Sequence, residues 1–222
     1  MKRYLAAAAL AALIAAPAHA GNSEGKVQLK LLGTAVLPDG KITSVDTDIV
    51  GLPVGTQTEA DEDVVPTIAA EYFVSPSFSI ETICCVTRHD VTATAGLAKG
   101  AELVSNATLI PATITAKVHL PAGPVAPYVG AGVTYFWWID VSPGAATVPL
   151  GVTRTTLSNE FGAVVQAGAD IPLGDKGFGL SFDAKRYFVG TTARWYASNT
   201  LAIQTHHKLD PWVLSAGLSY RF

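Results

Sequence analysis

Histidine beside serine can take a proton from a nucleophile, and histidine with cysteine can hold a metal. The side chains to weigh first are therefore His89, His119, His206, His207, Cys84 and Cys85. His206 and His207 stand beside Lys208 in a stretch that reads as a solvated loop tip. His119 has no evident serine partner and no serine-centred motif stands out, so no catalytic residue is assigned. Cys84 and Cys85 are neighbours: on a strand they point to opposite faces, a bridge between them is badly strained, and they read as free packing thiols. Four zinc ligands at a suitable spacing are absent. Neither a metal nor any other cofactor is expected.

A different chemistry is written in charges that interrupt apolar stretches. Lys30, Glu71, Glu81, Lys117, Glu160, Asp170, Asp183, Lys185 and Arg221 each occupy the face opposite an apolar one. Four are basic and five acidic, so they can pair where an unpaired charge is costly. The elements that carry them must enclose them.

Those elements are strands. Period-two alternation recurs near 26–37, 63–74, 78–89, 108–120, 125–139, 157–171, 178–188 and 211–222, with no competing helical period. The last segment alternates Trp212, Leu214, Ala216, Leu218, Tyr220 and Phe222 with smaller or more polar residues. Connections alternate too. Long stretches at 38–62, 90–107, 140–156 and 189–210 take turns with tight ones at 75–77, 121–124 and 172–177, where Pro and Gly stop strand pairing.

The chain begins MKRYLAAAALAALIAAPAHA, with a basic start, a short apolar centre and an Ala-His-Ala end, the pattern of a cleavable secretory signal over residues 1–20. Without it, 13 basic residues face 18 acidic ones, a formal charge of −5 with no basic run, and nucleic acid is not an expected partner. Residues 21–222 are read as one all-β domain: an eight-stranded antiparallel up-and-down transmembrane β-barrel, with its long loops at one end and both termini with the short turns. A soluble barrel would turn its apolar face inward and its charges outward; the export signal, the terminal aromatic and the loop asymmetry favour the reverse.

Four blocks then carry a resemblance: PTIAAEYFVSPSFSIETICCVTRHDV (66–91), APYVGAGVTYFW (126–137), EFGAVVQAGADIPLGDKGFGLSFDAKRYF (160–188) and LDPWVLSAGLSYRF (209–222). In this order they resemble the OmpW family of small outer-membrane barrels, the likeness weakening in 38–62, 140–156 and 189–208. The resemblance implies a monomeric barrel in the outer membrane of a Gram-negative cell, associated with passage of small hydrophobic compounds. The expected partners are outer-membrane lipid, such compounds, and the assembly machinery that reads a terminal aromatic signal, here Tyr220 and Phe222.

Eight strands leave an interior that side chains nearly fill, which excludes a wide water-filled pore. Sorting inward positions by height places Val36, Leu109, Phe136, Trp138, Tyr187 and Val213 near the outer mouth as a ligand-binding set. Gln28, Lys30, Glu71, Lys117, Asp170, Asp183 and Arg221 form a polar floor at the periplasmic end. Inward Gly130, Gly132, Gly162, Gly168 and Gly217 are read as leaving space between them, or as letting strands bend. An apolar solute entering the mouth meets a poor path through the floor, and lateral exit into the bilayer is the natural alternative. Two other classes are weighed: an enzyme acting on lipid A, and an adhesive barrel whose loops touch host or phage.

Overall fold

A computed structural model describes residues 25–96, 99–120 and 125–222. The signal at 1–20 and the turn at 121–124 lie outside the described residues. Among the described residues fourteen strands run in chain order: β1 (Val27–Leu37), β2 (Lys41–Asp48), β3 (Gln57–Ala60), β4 (Asp63–Ser75), β5 (Phe78–Cys84), β6 (Thr87–Ala95), β7 (Glu102–His119), β8 (Ala126–Pro143), β9 (Val152–Leu157), β10 (Glu160–Pro172), β11 (Phe178–Phe188), β12 (Gly190–Ala197), β13 (Thr200–Lys208) and β14 (Trp212–Arg221).

Eight walls close one antiparallel ring. From β1 the order runs through β4, the β5–β6 pair, β7, β8, β10, β11 and β14 back to β1. The expected third strand is split: β5 and β6 share one wall but part at Cys85 and Val86. Alternation sets the facing. Leu31, Val64, Ile114, Val133, Phe161 and Leu218 stand on the outer face. Lys30, Thr34, Glu71, Lys117, Thr134 and Asp183 point inward and are buried. Because charges inside and apolar residues outside suit a bilayer and would fail in water, the barrel spans a membrane.

The long connections hold more order than expected. β2, β13, β12 and β9, drawn from three of them, form a four-stranded sheet beyond the barrel mouth, and β3 extends the wall by pairing with β6. These segments lack a clean apolar alternation, because most of β2 faces water while β12 is buried on consecutive residues.

The lumen is layered. Above the charges lie Thr34, Thr67, Thr113, Thr115 and Thr134; above these is an apolar cluster that includes Val36, Leu109, Phe136, Val164, Tyr187 and Val213. A second cluster of Val104, Ala107, Ala193 and Trp195 joins the barrel to the outer sheet. The inward glycines do not hold open space. A Cβ on Gly132 would lie 2.0 Å from the Ile114 carbonyl, and one on Gly168 would lie 2.4 Å from the Tyr128 hydroxyl. They let neighbouring strands and the Tyr128 ring approach closely.

Candidate functional site

The charged floor is one network built by register. Lys30 on β1 reaches Glu71 at 2.9 Å, Glu81 at 3.2 Å and Asp170 at 3.2 Å. Lys117 on β7 reaches Glu71 at 2.9 Å and Glu81 at 3.0 Å, and stands 3.6 Å from the centre of the Tyr128 ring. Lys185 on β11 closes the ring onto Glu81 at 3.1 Å and Asp183. Gln28 donates to Asp170, Gln166 to Glu81 and Asp183, and the Tyr128 hydroxyl to Asp183. Pairing and hydrogen bonds together offset the cost of removing these groups from water.

Of the floor residues expected from sequence, Lys30, Glu71, Lys117, Asp170 and Asp183 thus meet. Glu81 and Lys185, placed inward but left out of the floor, turn out to be central to it. Arg221 lies nearer the periplasmic rim, its guanidinium 3.5 Å from the centre of the Phe73 ring and its Nε donating to the Gly25 carbonyl. Tyr220 and Phe222 pack ring to ring near Phe178.

His119 does have a serine partner. Its Nε2 lies 2.8 Å from Ser79 Oγ and 2.9 Å from Glu71 Oε1, and Ser79 Oγ also donates to Glu71 Oε1. Sequence could not show this, because Ser79 and His119 become neighbours only through the β5–β7 register. The geometry is not that of an activated nucleophile: one carboxylate oxygen engages both partners, no second group among the described residues orients the far side of the imidazole, and Ser79 is fully enclosed.

Above the threonine layer lies an apolar cavity of about 820 Å³, its open part included. All six residues assigned to the outer mouth (Val36, Leu109, Phe136, Trp138, Tyr187 and Val213) line it. Phe136 and Tyr187 pack with ring centres 5.8 Å apart. Trp138 faces in, while its neighbour Trp137 is half exposed on the outer face.

The upper wall comes from residues that sequence assigned to loops. Trp195 and His207 line the cavity, so the reading of His206 and His207 as a solvated tip needs correction. His206 alone is partly solvated, bonded to Asp46 at 2.7 Å. His207 is buried: its Nδ1 faces the Gly40 carbonyl, and Thr205 donates to its Nε2. Burial holds its pKa below the ordinary value, with His206 adding to this and the Gly40 carbonyl opposing it.

Beside the cavity the wall is incomplete. The β4–β5 ladder stops at Ile68 opposite Cys84, and outward of it the backbone of residues 63–67 forms ladder pairs with β1 alone among the described residues, while the Asp63 carboxylate accepts from the Arg88 N–H on β6. On the other side β5 pairs with β7 as far as Ile83 opposite Thr113, and pairing resumes at Thr87 opposite Leu109. Pro66 and Pro111, which have no N–H to donate, sit on either side of this gap. Cys85 and Pro111 both line the cavity there.

Comparison with known proteins agrees with this architecture. A model described as the OmpW family matches residues 23–222. The outer-membrane protein y4mB of Sinorhizobium fredii is 30% identical, covering 99% of this chain and 92% of that protein. Outer membrane protein W of Vibrio cholerae is 24% identical over 97% of this chain and 96% of its own. Among solved structures, the outer membrane protein OprG from Pseudomonas aeruginosa superposes with a TM-score of 0.78 at 20% identity, covering 91% of this chain and 98% of that one. The outer membrane protein AlkL in lipid bilayers gives 0.67 at 20% identity, covering 93% and 94%.

Proposed function

The chain belongs to the OmpW family of outer-membrane barrels, and from that premise we propose that it takes small hydrophobic compounds into the apolar cavity and releases them sideways into the bilayer. The observation that carries this reading is the juxtaposition of an apolar cavity, a sealed charged floor and a gap in the wall between them. An aromatic solute moving about 150 Å² of surface out of water gains about 4 kcal/mol. Continuing downward would mean separating buried ion pairs, at about 3–5 kcal/mol for each one broken. Leaving past Cys85, between 64–67 and 85–87, breaks none of them. One relative, 24% identical over 76% of this chain, is a Pseudomonas aeruginosa protein named for the dibenzothiophene metabolism operon, and dibenzothiophene is an apolar aromatic compound.

In this reading the barrel works as a monomer without catalysis. The sealed Ser79–His119–Glu71 group serves the floor, and Tyr220 with Phe222 serves assembly. The test is uptake of a small apolar compound by cells carrying Phe136→Asp or Trp138→Asp, measured alongside surface abundance. Uptake should fall while abundance holds. A photoactivatable apolar probe should label 64–67 and 85–87. Normal uptake by assembled variants overturns the cavity, and labelling at the level of Lys30 and Asp170 overturns the sideways route.

A further inference from the structure

Nearly every polar group on the cavity wall already has a partner. Thr191 donates to the Ser158 carbonyl, the Tyr187 hydroxyl meets Thr113, and both nitrogens of His207 are engaged. Three groups differ. Thr87 Oγ1 is buried and has no hydrogen-bond partner among the described residues, and Trp138 Nε1 has none either. His89 Nδ1 lies 2.7 Å from the Asp61 backbone carbonyl. A carbonyl only accepts, so Nδ1 carries the proton, and in the neutral ring Nε2 is then an acceptor. No partner meets Nε2 among the described residues, and both Thr87 and His89 line the cavity.

The sheet brings these groups together. Thr87 pairs with Leu109 and Leu109 with Trp138, which sets the hydroxyl and the indole on one row across three strands. His89 follows Thr87 by two residues on the same inward face of β6, so their Cα atoms are about 7 Å apart. A ligand oxygen reaching both side chains would stand about 3 Å from the Thr87 donor and about 3 Å from the His89 acceptor. A hydroxyl suits both: it accepts from Thr87 and donates to His89. A pure hydrocarbon leaves both unmet, and a buried polar group without a partner disfavours the complex.

Resting on the cavity reading above, we propose that the preferred ligands are small apolar molecules bearing a hydroxyl group, read by Thr87 and His89. The remainder of the molecule lies against the apolar walls, and Leu109 separates the hydroxyl site from the Trp138 indole.

The experiment compares 4-ethylphenol with ethylbenzene by titration calorimetry on the purified barrel in lipid nanodiscs, subtracting the signal of empty nanodiscs. Wild type should bind the phenol about tenfold more tightly, the worth of one to two hydrogen bonds. In Thr87→Val and in His89→Phe that ratio should fall to about twofold or less, with heat-modifiable migration on gels confirming that each variant is folded. Equal binding of the two compounds by wild type overturns the hydroxyl site and leaves the cavity reading intact. A ratio that survives in both folded variants overturns the assignment to Thr87 and His89. Absence of binding by either compound overturns the cavity reading, and this inference with it.

Discussion

Lys117 is fully enclosed and lies between Glu71 and Glu81, at 2.9 and 3.0 Å. Replacing it with Met keeps the chain length of the stem but deletes the charge, leaving Lys30 as the cation that both carboxylates still share. Around them three buried lysines would become two, against four buried carboxylates: Glu71, Glu81, Asp170 and Asp183. Breaking a buried pair from one side typically costs about 3–5 kcal/mol, because the abandoned charge stays buried. Lys117→Met should therefore destabilise the barrel by about that much, with the cation contact to Tyr128 adding to the loss. Removing the abandoned charge as well should recover part of it: the double variant Lys117→Met, Glu81→Gln should be less damaged than the sum of the singles by more than about 1 kcal/mol. The assay is urea unfolding from lipid vesicles, followed by tryptophan fluorescence and gel migration. Singles that add to within about 0.5 kcal/mol, or a Lys117→Met barrel as stable as wild type, would show that the floor is not an interdependent network.

Facing can be tested at Leu218, which is exposed on the outer surface: Leu218→Arg should cost about 2–4 kcal/mol toward the bilayer midplane in the same titration, and a neutral result would reverse the assignment of faces. Gly168→Ala should drive the Tyr128 hydroxyl away from Asp183 and destabilise the barrel by about 1–3 kcal/mol through overpacking; an unchanged unfolding midpoint would count against close approach as the reason for glycine there. Because burial lowers the pKa of His207 in the folded state, the unfolded chain binds the proton first as pH falls below 6.5. The stability it contributes is whole above that value and declines toward the lowered folded pKa. Amide protection in β13, corrected for the intrinsic exchange rate at each pH, should therefore fall between pH 7 and 5 in wild type and less so in His207→Gln; an equal fall in both would refute the link.

Much of this architecture was legible because a strand reports its facing locally. With side chains alternating every residue, Lys30, Glu71 and Asp183 declare themselves opposite to Leu31, Tyr72 and Phe182 without any knowledge of partners. The spacing of turn formers told long connections from short ones, and strand direction then ordered inward residues by height. That ordering alone is why Val36, Leu109, Phe136, Trp138, Tyr187 and Val213 could be grouped as neighbours from six different positions in the chain, and all six line one cavity.

Tertiary structure decided whatever depends on register between strands or across the lumen, since no local pattern encodes which residues will stand opposite one another. Glu81 gathers Lys30, Lys117 and Lys185 because four walls converge there. Ser79 meets His119 because β5 and β7 pair with a particular offset. The outer sheet was hidden for a different reason: its strands are bounded by water on one side and by each other or the cavity on the other, so burial does not follow a period of two. His207 thus passed for a loop residue, although pairing with β12 and β2 carries it into the cavity wall. The gap beside Cys85 was equally silent, because alternation continues through a segment whether or not its neighbours bond to it, and only the pairing of β4, β5, β6 and β7 in the folded barrel shows where the ladder stops.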